Sequence, residues 1–321
     1  MKIVVLDGYT ENPGDLSWEN LEVFGELTIY DRTAYTESKI IAERIGDAQI
    51  AVINKTPISA STMDACKKLK LICVLATGYN VVDCKAAKER GICVCNVPSY
   101  GTEIVAQYAV SLLMEICSHI GHHSETVKNG RWQKEKDFCY WDFPMMELSG
   151  KTAGIIGVGR IGRTTARILH GFGMKVLGYD HHFTDEKKLY AEESDLNRIY
   201  SESDVIFLHC PSLPETNQMI NKESIDKMKD GVILINNSRG QLINENDLAY
   251  ALNSGKVYAA GLDVVSTEPI SEDNPLLSAK NCIITPHISW AAKEARQRIM
   301  DITADNIREY ICGTPINVVN T

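Results

Sequence analysis

Three side chains of complementary chemistry, Arg239, Glu268 and His287, each follow a short apolar run in the second half of a 321-residue chain. The runs are Val232 to Asn236, Tyr258 to Leu262 and Cys282 to Thr285. Their length and β-branched content predict strands. In an open α/β sheet, ligands bind beyond the carboxyl ends of the strands, so the three side chains converge on one edge. A guanidinium there can hold a carboxylate and polarise a carbonyl, and a histidine can give a proton to the oxygen that becomes a hydroxyl. A neighbouring carboxylate, Glu268, would fix the imidazole tautomer and favour its charged form. The set suits hydride transfer at C2 of a 2-oxo acid. Taken singly, each residue also reads as an ordinary surface cation, loop charge or turn residue.

A hydride needs a carrier, and the segment Gly157-Val158-Gly159-Arg160-Ile161-Gly162 lies between a predicted strand, Thr152 to Ile156, and a helix. Gly157 permits a tight turn, Gly159 lets backbone approach a pyrophosphate, and Gly162 lets the helix pack on the strand. The helix start at Arg160 and Ile161 offers free N–H groups to the anion. The next strand, Lys175 to Tyr179, ends in Asp180, close to the spacing of about 20 residues expected for an acid that binds the adenosine ribose. Its carboxylate accepts from both ribose hydroxyls and repels a 2′-phosphate, which favours NAD over NADP. His181 and His182 read as a solvated loop.

The elements that position these groups follow a regular pattern. From Lys2 to about Asn96, apolar runs at Ile3 to Leu6, Ile50 to Ile53, Leu71 to Val74 and Ile92 to Cys95 alternate with helical stretches such as Ser59 to Leu69 and Val82 to Arg90, which predicts a parallel sheet covered by helices. From Lys151 a second alternation supplies six strand candidates, the number in a complete dinucleotide-binding sheet. Between the two lie a helix from Glu103 to Ile120, apolar on nearly every face, and an irregular aromatic arm from Gly130 to Glu147. The apolar helix is expected to be buried, between domains or between subunits. A last helix, Ala292 to Tyr310, is free to return to the first half.

Composition narrows the function classes. Apolar residues make up 44% and charged residues 23%, as in ordinary globular proteins. The net charge is −9 and no block of Lys or Arg occurs, which argues against a nucleic-acid or anionic-membrane surface. No apolar run approaches the ~18 residues of a membrane span and the amino terminus does not read as a signal peptide, so a cytoplasmic location is expected. Ten dispersed cysteines suit reduced thiols. Cys93 and Cys95 read as strand residues rather than metal ligands, and His119, His122 and His123 as a solvated helix terminus; no metal is expected.

Taken together, these motifs resemble the D-isomer-specific 2-hydroxyacid dehydrogenases, and within that family the glycerate dehydrogenase (hydroxypyruvate reductase) branch. The similarity runs from Ala76-Thr77-Gly78-Tyr79-Asn80 through Gly154 to Gly162, His209-Cys210-Pro211, Asn237-Ser238-Arg239-Gly240 and Asp263 with Thr267-Glu268-Pro269, to Thr285-Pro286-His287. It implies an α/β architecture in which residues 1–98 and 288–321 form a flavodoxin-like substrate domain. Residues 99–287 then form a Rossmann-type NAD domain, with a dimerisation helix and arm at 99–150 and a cleft between the domains. It implies Arg239, Glu268 and His287 as the catalytic set. Substrate binding falls to Thr77, Gly78, Arg239, His287 and Trp141, the last reaching a neighbouring subunit of a homodimer. Cys210, Pro211, Thr216, Asn237, Ser238, Arg239, Asp263 and His287 join the glycine loop and Asp180 around NAD, with Asp263 near the nicotinamide carboxamide.

The resemblance leaves other activities to weigh. A phosphoglycerate dehydrogenase needs extra cations for its phosphate, and the loops Asn12 to Trp18 and Thr77 to Asp83 contain none. An NAD-sensing corepressor shares the fold and its residues, but usually with a longer tail. Hydroxypyruvate is the expected substrate, with glyoxylate second.

Overall fold

Buried parallel strands need apolar side chains on both faces, and Lys2–Val5 (β1) accordingly buries three of its four residues. A computed structural model describes the whole chain, residues 1–321. It divides into two compact units, Met1–Gly101 with Trp290–Thr321, and Thr102–Ser289.

In the first unit β1 is joined by β2 (Glu26–Ile29), β3 (Ile50–Ile53), β4 (Leu71–Val74) and β5 (Cys93–Cys95). All pairings are parallel, in the flavodoxin-like order β2-β1-β3-β4-β5. Strands β3 and β4 are buried throughout, and their short helices start on side-chain caps, Ser59 accepting from Thr62 N and Asp83 from Ala86 N. The edge strand β2 escapes the sequence reading because its residues are mostly exposed and form no apolar run. The helix Lys293–Ile311 does return here, packing Ile299, Ala304 and Ile307 against Ile3, Val5 and Leu71. Each fully buried Ile or Leu contributes about 1.5 to 3 kcal/mol, so this helix secures the unit. At the carboxyl edge, the buried Asp7 accepts from the N–H groups of Asn54 (2.7 Å), Lys55 (2.6 Å) and Thr56 (2.8 Å) and so shapes the loop after β3.

The second unit holds seven parallel strands, β6 (Thr152–Ile156), β7 (Lys175–Tyr179), β8 (Glu192–Glu193), β9 (Val205–Leu208), β10 (Val232–Asn236), β11 (Val257–Leu262) and β12 (Cys282–Ile284). Their order, β12-β11-β10-β9-β6-β7-β8, is the Rossmann-type doubly wound arrangement, and it reverses between β6 and β9. The strand beyond the expected six is β8, an exposed two-residue pairing too short to leave a pattern. The apolar helix spans Thr102–Ser118 and buries Ala106, Ala109, Val110, Leu112, Leu113, Ile116 and Cys117. Most of its apolar surface is thus covered within its own unit, where it packs with β10, β11 and the helix Arg160–Gly171. It stops at His119, whose left-handed φ of +47° breaks the helix before Ile120–Lys128 resumes. No single helix is long and apolar enough to cross a membrane.

Candidate active site

The glycine loop shows why each glycine is required. Gly157 has φ +99°, and a Cβ there would lie 2.6 Å from the His209 carbonyl. A Cβ on Gly162 would lie 2.1 Å from the Gly157 oxygen, so the helix Arg160–Gly171 packs directly on the turn. Gly159 is different: nothing lies within 4 Å of its Cβ position and the residue is exposed. That open space faces a helix start whose first N–H groups, including those of Arg160 and Ile161, have no partner within the helix, which is where a pyrophosphate binds.

Asp180 closes β7 as expected, but with a partner. Its Oδ1 accepts from His182 N at 3.3 Å, and its Oδ2 lies 2.9 Å from Lys187 Nζ. Burial pushes the Asp180 carboxyl upward; the Lys187 bond, the His182 N–H and the lysine charge outweigh it and hold the group below the usual range. Lys187 was not foreseen, because the short helix Asp185–Lys188 is a run of charges that reads as solvated.

The loops after β9 and β10 are tied to each other. Ser238 Oγ donates to the Cys210 carbonyl at 2.7 Å. Thr216 Oγ1 donates to the Pro211 carbonyl at 2.8 Å and closes its own loop. Burial pushes the Cys210 thiol up to about 11, so it stays protonated at neutral pH. Burial also pushes the His209 imidazole down to about 4, where it pairs with Thr165 Oγ1 at 2.9 Å. Asn237 Nδ2 donates to Val105 O at 2.8 Å, while its Oδ1 is buried without a partner. The open space at Gly159, the acid closing β7 and the orphaned Asn237 oxygen fit a dinucleotide.

The reacting groups assemble on the next loops. Asn236, fully buried, accepts from Ser238 N at 3.0 Å and donates to Arg239 O at 2.9 Å, fixing the turn that presents Arg239. Gly240 lets that turn press against its neighbour, since a Cβ there would lie 1.9 Å from the Val265 carbonyl carbon. The adjoining segment carries Glu268, whose Oε1 accepts from Val265 N at 3.3 Å and whose Oε2 accepts from His287 Nδ1 at 2.7 Å. Burial pushes the Glu268 carboxyl up, but the His287 bond and charge, with a smaller contribution from Arg239, hold it below the usual carboxylate range. His287 has φ +56°, a left-handed conformation uncommon outside glycine and found at functional sites. Asp263 sustains it. This buried carboxylate accepts from Thr285 Oγ1 (2.6 Å) and Ile288 N (2.9 Å) on Oδ1, and from Ser289 N (2.8 Å) and Ser289 Oγ (2.5 Å) on Oδ2.

The remaining candidates lie elsewhere. Thr77 and Gly78 stand on the loop after β4 of the first unit, where Thr77 Oγ1 donates to Val97 O at 2.9 Å. Trp141 is 65% exposed on the arm. The histidine cluster is less solvated than expected. His122 lies 2.7 Å from Asp142, His123 Nε2 accepts from Asp142 N at 3.2 Å, and Arg131 also binds Asp142, so the histidines pin the arm to the helix Ile120–Lys128. Tyr140 is tied down too, through Thr126 Oγ1 at 2.7 Å.

Comparison with known proteins agrees with this arrangement. Residues 110–289 match the family described as D-isomer specific 2-hydroxyacid dehydrogenase, NAD binding domain. The whole chain is 57% identical to the whole of a hydroxypyruvate reductase of Blautia hydrogenotrophica. It is 42% identical to a glycerate dehydrogenase of Methylorubrum extorquens over 92% of each chain. Among solved structures, the apo form of D-lactate dehydrogenase from Escherichia coli superposes with a TM-score of 0.87 and 31% identity, covering 99% of this chain and 100% of that one. The chain belongs to the D-isomer-specific 2-hydroxyacid dehydrogenases, NAD-dependent enzymes that move a hydride to or from C2 of a 2-oxo or 2-hydroxy acid.

Proposed function

We propose that the substrate pair is hydroxypyruvate and D-glycerate. The observation that carries the reaction is the 2.7 Å pair of His287 with Glu268, the latter on the segment pressed against the Arg239 turn. Bound NADH supplies the hydride. Arg239 holds the substrate carboxylate and polarises the C2 carbonyl, and His287 donates the proton that converts the carbonyl oxygen to a hydroxyl. Glu268 keeps the imidazole oriented through the Nδ1 bond and sets a carboxylate beside the ring that acts as proton donor. The backbone of Thr77 and Gly78 is assigned to the carboxylate on the family resemblance, which also implies that Asp263 lies near the nicotinamide carboxamide. In support of hydroxypyruvate stand the two relatives named above and the character of C3: a hydroxymethyl group can be hydrogen-bonded, and a site built for it loses that bond with pyruvate.

A panel of 2-oxo acids followed by NADH oxidation tests the assignment. Hydroxypyruvate is expected to give the highest kcat/KM, with glyoxylate second and pyruvate weaker. Phosphohydroxypyruvate belongs in the panel, because Lys55 puts a cation on the loop after β3 that the loops considered from sequence lack. Higher kcat/KM for that compound moves the assignment to phosphoglycerate chemistry, and no turnover of any acid favours a coenzyme-sensing corepressor.

Glu268 provides a separate test. Its carboxyl is held below the ordinary range, so it is charged throughout neutral pH and its support for the imidazolium is lost only as pH falls through that lowered value. Glu268→Gln removes the charge at every pH. The alkaline limb of the reduction profile then moves to lower pH. An unmoved limb removes Glu268 from the mechanism.

We further propose a cytoplasmic homodimer that binds neither nucleic acid nor membrane. Free thiols at all ten cysteines suit a reducing compartment. Phe138 (88% exposed), Trp141 and Trp132 project from the arm, a surface that suits a partner copy with Trp141 at its substrate site. Sedimentation should give a dimer at micromolar concentration, and Trp141→Ala should relax selectivity toward larger 2-oxo acids. A monomer, or an unchanged panel, refutes this.

A further inference from the structure

A lone carboxylate at the end of the second Rossmann strand does two things: it accepts bonds from the ribose hydroxyls and repels a phosphate esterified to one of them. Asp180 is not alone. Lys187 Nζ lies 2.9 Å from its Oδ2, with the two side chains only 15% and 20% exposed. The same ammonium donates to the His182 carbonyl at 2.6 Å, which braces the Asp180–His182 turn from its other end.

This arrangement changes the electrostatics of the ribose position. The Asp180–Lys187 pair carries no net charge, and low exposure limits screening of the ion pair by solvent. Lysine presents three donors on a flexible stem, and two are used here, so the ammonium can serve a phosphate without abandoning the turn. The neighbouring charges are already engaged: Glu186 binds Arg163, and Asp185 binds Lys188 at 3.1 Å. His181 and His182 are exposed beside the pair. Nothing acidic other than Asp180 holds Lys187.

We propose that Lys187 is a coenzyme-specificity residue: by neutralising Asp180 it lets this site accept NADPH as well as NADH, with NADH still preferred. The inference rests on Asp180 facing the adenosine ribose. A purely structural lysine would brace the turn and affect both coenzymes alike.

Binding of NADH and NADPH by fluorescence titration, and of 5′-AMP and 2′,5′-ADP by calorimetry, separates the two roles without requiring turnover. The wild-type protein is expected to bind NADPH measurably, within about 100-fold of NADH. Lys187→Met should lower the NADPH-to-NADH affinity ratio, and the ratio for the two fragments, by about tenfold, the size of one charge-assisted hydrogen bond. Lys187→Arg should preserve both ratios. Equal losses for both coenzymes in Lys187→Met, unchanged ratios, or a wild-type protein that fails to bind NADPH overturn the inference. Asp180→Ala tells that failure from a failure of its premise. This variant should weaken NADH binding by about 5- to 150-fold; unaltered NADH and 5′-AMP binding would remove Asp180 from the ribose, and the Lys187 inference with it.

Discussion

Replacing His287 by glutamine is expected to lower turnover of the 2-oxo acid by roughly 10²- to 10⁴-fold while leaving coenzyme binding nearly intact. Glutamine approximates the size of imidazole and can still bond to Glu268, but it cannot carry a proton to the developing alkoxide. The residue also sits at φ +56°, a conformation that histidine and asparagine tolerate better than glutamine. His287→Asn therefore serves as a backbone control: it loses the proton donor but keeps the turn. Both variants should show the same collapse in single-turnover NADH oxidation and similar NADH titrations. If either retained a tenth of wild-type turnover across the pH range, the proton would have to come from another group, and the Glu268–His287 pair would be structural.

The parts of this site that sequence made legible are those fixed by strand ends. Arg239, Glu268 and His287 each follow β10, β11 or β12, neighbouring strands of one sheet, so their convergence follows from topology once the strands are recognised. Gly157 and Gly162 were legible for a similar reason, because a strand, a tight turn and a helix leave no room for a Cβ. What escaped depends on loops folding back. Lys187 meets Asp180 only because a short helix returns to the end of β7, and no periodicity marks that return. Asn236 looks like the last residue of an apolar strand, yet its amide fixes the Arg239 turn. The edge strand β2 and the two-residue β8 lacked apolar runs. The helix Thr102–Ser118 needs more than its apolar character to be assigned a partner, because most of its apolar residues are covered by the sheet of its own unit, and the dimer is argued from the arm.

The same reasoning makes Asp263 the second large effect. Its two oxygens accept four hydrogen bonds, and each oxygen receives one backbone N–H, from Ile288 or from Ser289. The hydroxyls of Thr285 and Ser289 can rotate to accept instead of donate; a backbone N–H cannot. In Asp263→Asn, whichever way the amide is turned, its NH2 faces an N–H in a fully buried position. No flip relieves the clash, and leaving such a donor unpaired costs about 1 to 3 kcal/mol, beside the weaker bonds left at the surviving oxygen. The protein should lose stability by about that amount in denaturant titration. The larger consequence is for the residue between the anchors. His287 lies between Thr285 and Ile288, and its left-handed backbone has to be over-determined by its surroundings to persist. A displacement of about 1 Å at a catalytic group costs on the order of 10²-fold, so kcat should fall by about that factor. Because the carboxylate's acceptor positions are taken by the 285–289 segment, NADH affinity should change far less than kcat. A kcat within about twofold of wild type, well short of the loss expected from such a displacement, refutes the positioning role. A large loss of NADH affinity with kcat preserved instead assigns Asp263 to the coenzyme, as the family resemblance implies.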